Sequence, residues 1–157
     1  MGLYDVLGDS SIGSSFEITR ILDLPVILVV NAKGASRSIA ALLDGFINFD
    51  KHARIIGVIL NNVSGEKHYE LLNRIIIRET NLKCFGYLSR KDNFSFQSRH
   101  LDLTLPNEII DLENKIKALS CETKKTFDIK GIIKSLKIKR RIKSKKILIK
   151  LKILQEA

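Results

Sequence analysis

The chain has 157 residues, enough for one domain with a core of ordinary size. Two cysteines (Cys84, Cys121) and three scattered histidines give no metal-ligand spacing, no apolar run approaches the roughly 20 residues of a membrane span, and with no apparent secretion signal the chain is expected in the reducing cytoplasm. The net charge of +10 is local: residues 1–128 hold 16 Lys and Arg against 16 Asp and Glu, whereas residues 129–157 hold 11 against Glu156 alone.

Residues 1–5 (MGLYD) begin without a preceding strand, and residues 8–15 form a Gly/Ser/Asp-rich loop. A helix is expected from Ser14 or Ser15, carrying Phe16, Ile18, Thr19, Ile21 and Leu22, and ended by Asp23-Leu24-Pro25. Residues 25–38 (PVILVVNAKGASRS) organise the rest. Val26 to Val30 are apolar without alternation, the pattern of a parallel strand buried on both faces. The polar segment from Asn31 to Ser36 then falls at the strand's carboxyl end, where ligands bind in open α/β sheets. Ser36 is placed to cap a helix with Ile39, Leu42, Leu43, Phe46 and Ile47 on one face, reaching Phe49.

Residues 54–61 (RIIGVILN) read as a second buried strand, residues 67–80 as a helix with Tyr69, Leu72, Ile75 and Ile76 facing in, and residues 83–88 (KCFGYL) as a third strand. This β/α alternation predicts a parallel α/β sheet flanked by helices, with right-handed crossovers. A polar and basic loop follows over residues 89–105, then an amphipathic helix from Pro106 to about Ser120, and a short helical stretch over residues 126–136. His52 and His68 read as surface residues and Tyr87 as packing.

Between Ile129 and Leu154 only Ile, Leu, Lys, Arg, Ser and one Gly occur. One reading of this basic low-complexity tail is a helix for a membrane surface or nucleic acid. The other is a non-native terminus, an A/T-rich gene read out of frame. Its apolar residues share no helical face, which favours the second reading.

MGLYD, DLPVILVVNAKGASRSIAALLDGF, IIGVILNNVSGEKHYELL, GYLSR and SRHLDL together resemble the cobyrinic acid a,c-diamide synthases of the cobalamin pathway, in that family's order and spacing over roughly residues 1–130. The resemblance implies a P-loop NTPase, dethiobiotin-synthetase-like first domain followed by a glutaminase domain. It implies an amide ligase that uses ATP and Mg to convert the a and c carboxylates of cobyrinic acid to amides with glutamine-derived ammonia. No G-x-x-x-x-G-K-[ST] occurs in the chain. The expectation is therefore an interior fragment, incomplete at its N-terminus, with residues 1–128 as a partial ATP-binding amidoligase domain. Alone it is expected to bind ATP weakly and to lack synthetase activity, with the glutaminase supplied by a missing part or a second subunit. A sheet without its first strand should leave an edge open and the chain prone to aggregate.

The resemblance also implies roles for individual residues. Asp5 would sit beside the γ-phosphate and the substrate carboxylate, although Val6 follows it where the family has Gly, and a β-branched residue resists φ > 0. Asn61, with Asn62 next to it, would read the adenine edge, an amide being both donor and acceptor. Asn31 stands where many members carry Asp, and would add hydrogen bonds at the same ligand edge. Tyr4, Lys33, Ser36, Arg37, Arg99 and His100 would face the substrate, the cations pairing with its carboxylates. No metal-ligand set is assigned. Two alternatives stay open: a non-enzymatic binding module built on the basic tail, and a related ligase acting on hydrogenobyrinic or cobyric acid.

Overall fold

The computed structural model describes residues 2–6, 12–90 and 111–136. Its elements are α1 (Ser15–Leu22), β1 (Val26–Asn31), α2 (Ser38–Phe49), β2 (Ile55–Val63), α3 (Glu66–Thr80), β3 (Lys83–Ser89), α4 (Leu112–Thr126) and α5 (Ile129–Ser135). The strands form a parallel sheet in the order β1-β2-β3. Among the described residues no helix is long and apolar enough to cross a membrane.

Local chemistry sets these boundaries. Ser14-x-x-Glu17 works as a variant of the capping box: the Ser14 hydroxyl accepts from the Glu17 amide at 3.1 Å, and the Glu17 carboxylate reaches back to the amide of Gly13, one residue before the cap, at 2.6 Å. Asp23 ends α1 in the left-handed conformation, and Pro25 cannot continue a helix. Asn81 ends α3 in the same way, its amide donating to the Ile77 carbonyl.

One face of the sheet makes the core. Val26, Leu28 and Val30 of β1 and Val58, Leu60 and Val63 of β2 pack against Ile39 and Leu43 of α2 and Leu72 and Ile76 of α3. Each fully buried Leu here contributes about 1.5–3 kcal/mol relative to exposure. Both helices lie on this face, as successive crossovers of one hand between neighbouring strands require. Cys84 packs in the same core, and burial pushes its thiol up to about 12.

The opposite face is covered unevenly. Near β3, Phe85 lies over Gly57, where any Cβ would collide with its ring. Phe127 forms an antiparallel bridge to Gly86, and the Asp128 amide donates to the Phe85 carbonyl at 2.8 Å. Near β1 the cover stops: Val29 is 66 % exposed. The expectation that β1 is buried on both faces therefore fails. Apolar sequence records what a strand can bury, and here nothing among the described residues lies over Val29.

Two further expectations change. Ser36 is not the α2 cap: Arg37 precedes the helix in right-handed geometry without a side-chain capping bond, and Ser36 contributes its carbonyl to the Ile39 amide instead. The penultimate helix runs on to Thr126. The short helical stretch expected over residues 126–136 is present as α5, with Asp128 capping it through the Gly131 amide and pairing with Lys83 at 2.6 Å. The remaining basic tail, residues 137–157, lies outside the described residues.

Candidate site at the carboxyl edge of the sheet

β1 and β2 run in register through Val30↔Leu60 to Asn31↔Asn61, so their last side chains emerge side by side. A β-bulge then re-aims the next residue. Between Leu60↔Tyr87 and Val63↔Ser89 strand β2 spends one residue more than β3, and Asn62 takes φ +60° there. Asn tolerates this left-handed geometry better than most residues. The Asn62 amide thereby turns back across the sheet and donates to Asn31 Oδ1 at 3.1 Å.

Backbone donors fix the orientation of these amides. Asn31 Oδ1 also accepts from the Lys33 amide at 3.1 Å, and Asn61 Oδ1 accepts from the Asn62 amide at 2.9 Å, so each of these atoms must be oxygen. Among the described residues nothing accepts from the side-chain NH2 of Asn31 or Asn61. Each NH2 is a free donor, and Asn61 Oδ1 retains a second lone pair. A donor beside an acceptor on one planar amide matches the edge of an adenine ring.

The loop after β1 is held in several ways. The Ala32 amide donates to the Asn61 carbonyl at 2.7 Å, and the Ala35 amide closes a turn onto the Ala32 carbonyl at 3.1 Å. Gly34, at φ +65°, occupies the third position of that turn, which demands a left-handed residue. Lys33 and Ser36 are exposed on this loop at the same edge as the asparagines. His68, in the first turn of α3, is half-buried rather than a free surface residue. Its Nε2 meets the Ala35 carbonyl at 2.8 Å, and its Nδ1 lies 3.0 Å from Ser64 Oγ. Ser64 and His68 stand four apart at a helix start, a hint of local contact; nothing in the sequence ties His68 to Ala35, 33 residues earlier.

The remaining expected site residues disperse. Arg37 pairs with Glu79 of α3 at 3.3 Å, its side chain 76 % exposed, and among the described residues no hydrogen bond joins it to the asparagines. The Arg78 hydrogen bond chiefly holds Glu79 below its ordinary value, Arg37 adding to it. Tyr4 does not join the site. Its hydroxyl donates to the Phe46 carbonyl at 2.9 Å, and its ring packs on Phe16, Phe46 and Phe49. Because α2 descends from the carboxyl edge, Phe46 and Phe49 lie towards the amino edge, away from Asn31. Burial and then Asp50 push the Tyr4 phenol up. Asp5 is exposed and accepts from the Gly2 amide at 2.6 Å, and among the described residues no hydrogen bond joins it to the asparagines. Val6 is not at positive φ. Arg99 and His100 lie outside the described residues. Tyr87 does pack, stacking on Tyr69 with ring centroids 4.5 Å apart.

A family model described as the CobQ/CobB/MinD/ParA nucleotide binding domain matches residues 5–103. The chain is 38 % identical over 133 residues to the cobyrinate a,c-diamide synthase of Caldanaerobacter subterraneus subsp. tengcongensis, a match covering 85 % of this chain and 29 % of that protein. To the synthase of the same name from Limosilactobacillus reuteri it is 42 % identical over 134 residues, covering 85 % and 30 %. To that of Clostridium tetani it is 41 % identical over 137 residues, covering 87 % and 31 %. The chain thus spans about 30 % of the length of the curated relatives it matches. No solved structure matches it. A parallel α/β sheet with paired asparagines at its carboxyl edge, matched over residues 5–103, makes the chain a member of the CobQ/CobB/MinD/ParA nucleotide binding domain family.

Proposed function

We propose that this chain is the nucleotide-holding part of a cobyrinate a,c-diamide synthase, which uses ATP and Mg to amidate the a and c carboxylates of cobyrinic acid with ammonia drawn from glutamine. The observation that carries the reading is the convergence of Asn31, Asn61 and Asn62 at adjoining strand ends, in a chain 38–42 % identical to three proteins of that name.

Asn61 reads the adenine edge with its free NH2 and remaining lone pair. Asn62 and Asn31 brace each other beside it, and the free NH2 of Asn31 adds a second donor. Lys33 and Ser36 present a cation and a hydroxyl to the substrate's carboxylates, Arg99 and His100 complete the substrate side, and Asp5 is the catalytic residue between the γ-phosphate and the substrate carboxylate. ATP, when bound, supplies the phosphoryl group that activates a carboxylate towards ammonia. For Mg, no three His, Cys, Asp or Glu side chains cluster among the described residues. Tyr4 receives no ligand role, because its hydroxyl donates to the Phe46 carbonyl; Arg37, in an exposed surface pair with Glu79, adds a second cation for the substrate's carboxylates.

The test is a chimera in which the 134 matched residues replace their counterparts in the L. reuteri synthase. It should form the diamide from cobyrinic acid, seen by mass. Asn61→Ala should then raise the KM for ATP about tenfold while leaving that for cobyrinic acid unchanged, one lost amide contact being about 1.4 kcal/mol. A chimera that forms no diamide, or an Asn61→Ala change that falls on the cobyrinic acid KM alone, would refute the assignment.

A further inference from the structure

We propose that His68 is a positioning residue whose two ring nitrogens clamp the loop after β1 against the start of α3, holding Lys33 and Ser36 at the carboxyl edge. The proposal rests on reading that edge as the ligand site. Its clamp half stands on geometry alone.

The imidazole has one arrangement that satisfies its neighbours. The Ser64 backbone amide points at Nδ1 from 3.3 Å, and a backbone N–H can only donate. Nδ1 must therefore be an acceptor, which leaves the proton on Nε2. Nε2 in turn faces the Ala35 carbonyl at 2.8 Å, an acceptor only. The Ser64 hydroxyl, 3.0 Å from Nδ1, is free to donate. One ring thus joins the end of β2 and the first turn of α3 to a loop more than thirty residues away. Gly65 gives α3 no side-chain cap, and His68 binds back to the Ser64 amide just ahead of it.

What the clamp controls follows from the loop's own bonds. Ala35 closes the turn onto Ala32, whose amide is tied to Asn61, and Lys33 donates to Asn31. A loop released at Ala35 would remain pinned at Ala32 and move from Lys33 to Ser36. The strands would keep their pairing while Lys33 and Ser36 lost a fixed position. A residue that only stabilised the core would loosen β1 and β2 as well.

The ring's two functions separate chemically. Gln places an amide N–H near the Nε2 position and can still donate to Ala35, but offers Ser64 nothing at Nδ1. Asn places an acceptor near Nδ1 and cannot reach Ala35. In the full chain, long-range 15N–1H correlation should show His68 as the Nε2–H tautomer; an Nδ1–H form would overturn the clamp without any variant. His68→Asn should speed amide hydrogen exchange at Lys33 and Ala35 by about tenfold or more and leave Leu28 and Val58 unchanged, whereas His68→Gln stays close to the parent. Equal loosening by both variants, or by neither, would overturn it too. Titration of the same chains with cobyrinic acid tests the site separately. Binding should weaken about fivefold in His68→Asn and recover in His68→Gln. If exchange follows the clamp while cobyrinic acid never shifts the Lys33 or Ser36 signals, the clamp stands and the substrate-facing reading of the loop falls.

Discussion

The two edges of this three-stranded sheet are built from similar apolar strands and end in opposite states. At the β3 edge the chain returns and closes over itself: Phe127 bridges Gly86, Asp128 donates to the Phe85 carbonyl and pairs with Lys83, and the Lys83 ammonium sits 5.0 Å over the Phe85 ring. At the β1 edge, among the described residues, the strand pairs with β2 alone and Val29 stands in the open. Strand chemistry is therefore not what protects an edge. Protection comes from the residues that follow the strand and come back to it, and from glycine where they come too close for a side chain.

The sharpest way to break this contrast is Gly86→Ala. Gly86 is the extra residue in a bulge of β3, between Val58↔Cys84 and Leu60↔Tyr87, with φ +134°. A Cβ there would run into the Thr126 carbonyl and lie 2.7 Å from Phe127 Cα, both backbone atoms. Strained geometry and a displaced bridge together should cost about 2–4 kcal/mol in urea unfolding. A change under about 0.5 kcal/mol would mean that the Phe127 bridge does not close this edge in solution.

Asp128→Asn should act at the same edge with a smaller effect. The Lys83 hydrogen bond, then the Gly131 amide, hold the Asp128 carboxyl below the ordinary aspartate value of 3.8. Its folded form binds its proton less readily than the unfolded chain. Its contribution is thus complete above that ordinary value and is lost as the pH falls through the lower folded value. Acid should release α5 before the sheet melts, and Asp128→Asn should mimic this at neutral pH. Amide exchange in Ile132 and Ile133 against pH would show both; protection of α5 that persists in the variant would contradict it.

These two positions also mark how far the sequence could be read. The runs VILVV and IIGVIL gave the strands and their parallel order, because strand length, flanking breakers and the intervening helices are local properties. The pairing of Asn31 with Asn61 followed, since neighbouring parallel strands end together. The bulges at Asn62 and Gly86 were not visible: each depends on a single residue at positive φ, whose geometry is set by the neighbouring strand. Ser36 misled because a capping residue needs an extended backbone, and here the helix is entered through Arg37 in right-handed geometry. Tyr4 stands apart for a different reason. A motif places residues close in sequence, but Tyr4 and Asp5 point to different surroundings once the Tyr4 ring finds Phe16, Phe46 and Phe49. The tie from His68 to Ala35 joins segments that only the fold brings together.

The smallest stability effect belongs to the open edge. Val29 pairs in register with Ile59 on the face away from the core, and at 66 % exposure its side chain contributes little burial. Val29→Lys should change unfolding stability by no more than about 0.5 kcal/mol, the range of an ordinary surface substitution. Its effect on association should be larger. A lysine on an edge strand opposes edge-to-edge pairing by charge and by the cost of dehydrating its ammonium, so light scattering from concentrated chain should fall relative to the parent. The same substitution at Val58, which is fully buried in the core, should abolish folding, because no partner awaits the charge there. If Val29→Lys instead cost more than about 2 kcal/mol, Val29 would be covered in solution as fully as the core residues. The two edges would then be alike, and the contrast between them would disappear.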